Sequence, residues 1–274
     1  MDPRLQLNLF LRSFFLQAGW NFAKYQNFGF AFIMLPVLQR LYKDDPAALS
    51  AVMQRYLDTF NTQPVLASFC FGALAKREES IVQAKSVTEY KEQVLEWSGI
   101  RRGLSITVAS IGDRLFWGTL KPLSLLLAVL IWMLLGVNFF NTSISTDMPD
   151  AYVYLAISIT FVAYNSIALF VRWKGLKISY NSDEANCFGL TCFDWNRAIY
   201  NLKRLGLVFT IALLLFGVYR YFTQMPKQDV YFFSRAVLVL FFVILSFFTR
   251  RLRIPNAYLY LAAVVTFSLV CVFI

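Results

Sequence analysis

The chain has 274 residues, 58% of them hydrophobic and 18% aromatic, and only 15% are charged. A soluble domain is about 45–50% apolar and about 25% charged, so this chain has too little polar surface to fold in water and reads as an integral membrane protein. Its net charge of +10 is spread out and mostly flanks apolar runs, which is a topology signal and not a nucleic-acid surface.

Arg12 interrupts the first apolar run and no small-x-small site follows, so the N-terminus does not read as a cleavable signal. Three short apolar segments come next, over residues 25–38, 64–75 and 104–112. Each carries Gly, Pro or both, and polar or charged residues flank each. A hydrocarbon core about 30 Å thick takes about 20 helical residues to cross, which none of the three supplies. Interrupted segments of this kind survive at membrane depth only inside protein or beside a watery cavity, and they point to a transporter's binding site. They are expected to dip into the bilayer and turn back. Between the first two, Asp45-Pro46 reads as an N-cap with Pro at the first helical position. The helix it opens has Leu49, Val52, Met53, Tyr56, Leu57 and Phe60 on one face. Residues 76–97 are charge-mixed with a thin apolar stripe of Ile81, Val87, Tyr90, Val94 and Trp97, and read as one water-compatible helical arm.

Five later segments approach spanning length: 123–140, 151–171, 205–219, 230–249 and 255–274. The third is framed by Arg204 and Arg220, whose stems can snorkel. Residues 142–150 contain Asp147 and Asp150 and no Lys or Arg, whereas 172–204 are basic and Arg250, Arg251 and Arg253 crowd the last loop. The positive-inside rule then places the N-terminus in the cytoplasm and, after five crossings, the C-terminus outside. The expected fold is all-α. Residues 1–121 form cytoplasmic-side amphipathic helices and re-entrant helical hairpins that contribute to a site, and 122–274 form about five transmembrane helices.

The polar groups gather at the tips of the short segments. Gln26 and Asn27 open the first, Asn61-Thr62-Gln63-Pro64 opens the second, and Asp113, Trp117 and Thr119 follow the third. Amides, a carboxylate, a hydroxyl and an indole are what a neutral polyol needs: paired donors and acceptors for its hydroxyls, and a ring for the apolar face of a pyranose. The substrate-binding candidates are therefore Gln26, Asn27, Asn61, Gln63, Asp113, Trp117 and Thr119. Each has a structural competitor. Asn61 and Thr62 equally suit a helix cap, Trp117 a membrane-boundary anchor, Asp113 a local pair with Arg114, and Gln26 and Asn27 the ends of a broken helix. The chain contains no histidine, nucleophile elbow, P-loop or dinucleotide-binding glycine pattern, so no catalytic residue or cofactor is expected. Cys187 and Cys192 read as two loop thiols, not as a metal site.

These same residues carry a resemblance. Leu11-Arg12-Ser13-Phe14-Phe15-Leu16-Gln17-Ala18-Gly19-Trp20-Asn21, Gln26-Asn27-Phe28-Gly29-Phe30, Met34-Leu35-Pro36 and Phe60-Asn61-Thr62-Gln63-Pro64 follow in order. Ile111-Gly112-Asp113 and Leu115-Phe116-Trp117-Gly118-Thr119-Leu120-Lys121-Pro122 complete the series. The chain resembles the IID component of the mannose/fructose/sorbose-type bacterial phosphotransferase system. The resemblance implies a non-catalytic subunit of the bacterial inner membrane that pairs with a IIC subunit, three such pairs assembling together. It also implies a hexose-like sugar bound in a mobile core, and cytoplasmic IIA and IIB proteins that carry the phosphoryl group. A histidine-free chain suits that division of labour. Where the family has a Gly- and Pro-rich stretch ending in Ser, this chain reads Ser105-Ile106-Thr107-Val108-Ala109-Ser110-Ile111-Gly112-Asp113-Arg114, which should stiffen the segment and adds a cation. Two readings follow: a sugar-permease subunit, or a non-transporting relative that serves as membrane scaffold, sensor or partner.

Overall fold

The computed structural model describes residues 1–135 and 150–224. Every regular element among these is helical, and β pairing is confined to isolated bridges from Asn21 to Tyr25 and from Tyr25 to Phe60. Helix α1 (Pro3–Arg12) starts where the Asp2 carboxylate accepts from the Arg4 N–H, and a 3-10 turn over Ser13–Phe15 ends it. Helix α2 is Asn27–Leu41 and α3 is Pro46–Tyr56, the latter opened by Asp45 as expected, with its carboxylate 2.9 Å from the Ala48 N–H. Helix α4 (Ala67–Val82) and helix α5 (Val87–Gly112) form a hairpin.

Two expectations are corrected by the helix boundaries. The arm expected over 76–97 is two helices, because the Ser86 hydroxyl caps the Glu89 N–H (3.1 Å) and the Glu89 carboxylate reaches back to the Lys85 N–H (2.8 Å). This Ser-x-x-Glu pattern is a start signal strong enough to break the run. Nor does the third short segment, 104–112, stand alone as a re-entrant piece. It lies inside a continuous helix, Val87–Leu134, of 48 residues. It contains no proline, and its one glycine comes at its end, so nothing stops propagation. The winding widens to π-helix over Asp113–Leu120 and then narrows into α6 (Lys121–Leu134).

Helix α7 (Asp150–Asn181), a 3-10 segment over Glu184–Cys192 and helix α8 (Trp195–Gln224) complete the described chain. Among the described residues three helices are long and apolar enough to cross a membrane: Val87–Leu134, Tyr152–Asn181 and Glu184–Gly217. They overlap the spans expected at 123–140, 151–171 and 205–219. The spans expected at 230–249 and 255–274 lie outside the described residues. The chain divides into two units, Met1–Leu215 and Phe216–Ile274, and the three polar tips all belong to the first.

The core of that unit is aromatic. Phe30 of α2 stacks on Phe60 (4.2 Å between centroids) and on Tyr56 of α3 (5.1 Å), and Tyr56 meets Trp97 of α5 (4.8 Å). Helix α4 then docks on α7 at van der Waals distance, backbone to backbone. A Cβ on Gly72 would overlap Ser179 Oγ and Leu176 O, and one on Gly175 would overlap Ser68 Oγ, so both positions accept only glycine. Arg172 of α7 donates to the Ser13 carbonyl (2.6 Å) and hydroxyl (3.0 Å) and lies over the Phe14 ring, tying α1 to α7.

Among the described residues one carboxylate is fully buried. Glu78 of α4 accepts from Tyr42 (2.8 Å), Tyr56 (2.7 Å) and the Arg55 guanidinium. Burial, reinforced by the Glu78 charge, pushes the Tyr42 and Tyr56 hydroxyls well above their ordinary range, so both remain neutral donors. Glu78→Ala strips all three donors of their acceptor. Breaking such a buried pair costs about 3–5 kcal/mol. We expect a clearly lower thermal unfolding midpoint in detergent by intrinsic fluorescence, with Glu78→Gln, which keeps two acceptor lone pairs, falling between it and the wild type.

Candidate functional site

The first polar tip is a tight loop. Asn21 and Tyr25 exchange backbone hydrogen bonds of 3.0 and 2.9 Å. Tyr25 sits at φ 58°, a left-handed conformation rare for a bulky side chain. The Asn21 side chain holds it there, accepting from the Lys24 N–H (2.8 Å) and donating to Asn27 Oδ1 (2.8 Å). Asn27 in turn donates to the Leu57 carbonyl (2.9 Å). Gln26 does more. Its Nε2 donates to Thr62 O and its Oε1 accepts from Thr62 N–H, both at 2.9 Å, while its own N–H reaches Phe60 O at 2.8 Å. The amide thus closes both backbone groups of Thr62, as a neighbouring β-strand would.

The second tip rests on α5. The Thr62 hydroxyl donates to Ser105 O (2.9 Å), and Gln63 packs on Gly112, where a Cβ would come within 2.6 Å of Gln63 Cβ. Gln63 Oε1 accepts from the Val65 and Leu66 N–H groups (2.8 and 2.9 Å), which are free donors at the start of α4. The cap on α4 is therefore Gln63, where the sequence suggests Asn61 or Thr62. Beyond it, residues 65–75 are buried without exception.

Gly112 leads straight into the third tip. In the π-helical turn the Thr119 hydroxyl donates to the Arg114 carbonyl five residues back (2.7 Å), the residue that the i to i+5 winding brings opposite it. Asp113, Arg114 and Trp117 are exposed, and Lys121 Nζ lies 4.5 Å from the centre of the Trp117 ring. Among the described residues no ion pair involves Asp113 or Arg114.

The three tips therefore meet, through Gln26 on Thr62 and Gln63 on Gly112. The seven candidates fall into two groups. Gln26, Asn27, Gln63 and Thr119 are buried and hydrogen-bonded within the protein, and they build a frame. Asn61, Asp113 and Trp117 are exposed. Sequence reasoning passes over Asn21, which over-determines the strained loop. It also passes over Arg101, which is 3% exposed and donates to Asp58 Oδ2 (2.6 Å) and Thr59 O (3.2 Å). The Arg101 hydrogen bond, with the Thr59 N–H, holds the Asp58 carboxyl below the usual carboxylate range. An arginine doublet, Arg101-Arg102, in a helix that turns apolar is the available signal.

Residues 2–208 match the family described as PTS system mannose/fructose/sorbose family IID component. This chain belongs to that family. Among curated relatives, the IID component is 32% identical over 173 residues to the mannose-specific EIID component of Escherichia coli K12, covering 63% of this chain and 53% of that one. It is 31% identical over 173 residues to the fructose permease IID component of Bacillus subtilis, covering 63% of this chain and 54% of that one. The chain thus spans about half the length of the curated relatives it matches. Among solved structures, the mannose transporter ManYZ in complex with microcin E492 contains a chain of similar fold, with a TM-score of 0.54 and 22% identity, over 97% of this chain and 94% of that one. A further membrane protein gives a TM-score of 0.60 at 26% identity, over 77% of this chain and 70% of that one.

The frame and the presented groups should respond differently to substitution. Gln26→Leu deletes two buried hydrogen bonds and leaves Thr62 N–H and O unpaired, at about 1–3 kcal/mol per group. It is expected to lower the thermal midpoint of the IID component in detergent, whereas Asn61→Ala, at an exposed position, is expected to leave that midpoint unchanged.

Proposed function

We propose that this IID component, together with a IIC subunit, binds and translocates a hexose-like sugar across the bacterial inner membrane. Phosphorylation is coupled through IIA and IIB proteins that carry the phosphoryl group. The observation that carries the reading is the joining of the three polar tips, two beside helices too short to span and one within the long helix Val87–Leu134, into one frame, with Asn61, Asp113 and Trp117 left exposed. In this role the carboxylate and amide pair with sugar hydroxyls, and the Trp117 ring covers an apolar sugar face. The sugar-specific names of the relatives support the substrate class, and the ManYZ likeness supports a paired membrane subunit. The working assembly is a trimer of IIC–IID pairs, with the N-terminus cytoplasmic and the C-terminus outside.

One observation favours the second reading, a non-transporting scaffold: the buried amides are already spent on the protein's own backbone. Uptake of labelled mannose, fructose and sorbose by cells producing the chain with its IIC partner separates the two. Transport predicts saturable uptake of at least one of the sugars. Asp113→Asn and Trp117→Ala should each lower it about tenfold, the scale of one charged hydrogen bond or one stacked ring, with membrane levels and IIC association unchanged. Wild-type uptake from both variants would remove these residues from the site, and no uptake by the wild type would favour the scaffold.

A further inference from the structure

A cavity in the first unit lies away from the polar tips. Its volume of about 740 Å³ is inside the range of about 300–1,000 Å³ in which small-molecule sites fall. One wall is a face of α4, where Ala73, Lys76, Arg77 and Ser80 follow at the i, i+3, i+4, i+7 spacing of a helix. The other wall is the last turn of α7 and the start of the 3-10 segment, over residues 180–185, with Phe188. Gln63 caps the other end of α4, so Lys76 and Ser80 stand about 15 and about 20 Å along the helix from that tip.

The walls differ in charge. Lys76 is exposed on α4, its Nζ 3.6 Å from the Glu79 carboxylate and 5.4 Å from the Tyr180 ring centre. Arg77 reaches across to Glu184 (3.2 Å) and also pairs with Glu96 of α5. Both pairs use Nη2, and the buried Nε has no partner among the described residues. A guanidinium with a donor left open calls for an acceptor that the chain does not supply. On the facing wall Asp183 accepts from the Asn186 N–H through Oδ1 (3.4 Å), and Asn181 and Ser182 add neutral polar groups. Phe188 is set there by three consecutive left-handed residues, Cys187, Phe188 and Gly189 at φ 44°, 52° and 81°. They turn the 3-10 segment back on α7, where a Cβ on Gly189 would come within 2.3 Å of Ile178 Cγ2. Such strain at bulky residues is found at ligand clamps.

We propose that this cavity is a second binding site, for a phosphorylated polyol of hexose size. Lys76 and the open side of Arg77 take the phosphate oxygens. Asp183, Asn181 and Ser182 pair with the hydroxyls, and the Phe188 ring covers an apolar face. A bare anion would face like charge on the carboxylate wall, and a neutral sugar would gain nothing from the cations. A ligand with both parts matches both walls. On the transport reading this is the chemical class of the product, and the cytoplasmic side proposed for residues 172–204 is where that product is released. Calling the ligand the product rests on that reading, whereas the chemistry of the cavity does not.

The test measures binding of mannose 6-phosphate and fructose 6-phosphate to the purified complex of the full chain with its IIC partner in detergent, by titration calorimetry. Inorganic phosphate and the free sugars serve as comparisons. At least one hexose phosphate is expected to bind tenfold or more tighter than inorganic phosphate. Lys76→Gln, at an exposed position, is expected to weaken that binding about tenfold, the scale of one charged hydrogen bond, with the thermal midpoint and free-sugar binding unchanged. Asp183→Asn, which keeps an oxygen for the Asn186 N–H, is expected to weaken the hexose phosphate and not inorganic phosphate. Trp117→Ala, at the tips, is expected to leave hexose phosphate binding as it is. Equal binding of inorganic phosphate, or wild-type affinity in Lys76→Gln, overturns the proposal. Binding lost in Trp117→Ala and kept in Lys76→Gln places the ligand at the tips and also overturns it. Sugar uptake by the wild type without hexose phosphate binding overturns this inference alone, whereas the expected binding without uptake of any sugar upholds the site and overturns the transport reading.

Discussion

A single side-chain amide joins the parts of the first unit that matter. Gln26 pairs with both backbone groups of Thr62, so the start of α2 is bound to the chain that leads into α4 by the pair of bonds a neighbouring strand would make. Remove that ring and Thr62 keeps only the bond from its hydroxyl to Ser105 O on α5. The same constraint explains the left-handed Tyr25 beside it. The chain must reverse within a few residues to bring Gln26 alongside Thr62, and Asn21 spends its side-chain polar atoms holding that reversal. Strain is tolerated where the surroundings over-determine it.

Short apolar helices are a problem in a bilayer because their ends carry unsatisfied backbone groups. The described structure solves this with protein. Residues 65–75 are wholly buried, the first free N–H groups of α4 are taken by Gln63, and the glycines at 72 and 175 let α7 lie directly on α4. Further along α4, Glu78 repeats the logic with charge, since a buried carboxylate is tolerable only when several donors meet it. Packing at one end of α4 and a polar cluster at the other hold it against three different helices. The tip it carries is thereby fixed without a span of its own.

Much of this can be read from residue types. The Asp45-Pro46 start, the apolar excess and the polar tips around residues 26, 61 and 113 follow from local chemistry that needs no partner. The rest depends on distance. Gln26, Asn27 and Gln63 look like ligand groups because an amide in an apolar setting needs hydrogen bonds, and sequence does not say whether a sugar or a backbone supplies them. Arg101 looks like one half of a charged doublet, because its partner lies more than forty residues upstream at Asp58. Polar flanks make the third segment look self-contained, yet helix propagation ignores flanks that contain no stop signal, and the helix runs on through Gly112. The break at Ser86 is legible as Ser-x-x-Glu, but the charge-mixed composition around it outweighs that signal.

The unbroken run from Val87 to Leu134 has a mechanical consequence. At 1.5 Å per residue its 48 residues make a rod about 72 Å long, more than twice the thickness of a hydrocarbon core of about 30 Å. A rod of that length crossing such a core once leaves more than half of itself outside it, like a mast stepped through a deck. The one change of winding along that mast lies at Asp113–Leu120, where the turns are widest, so a sideways load on the watery end is felt as bending at Asp113 and Trp117.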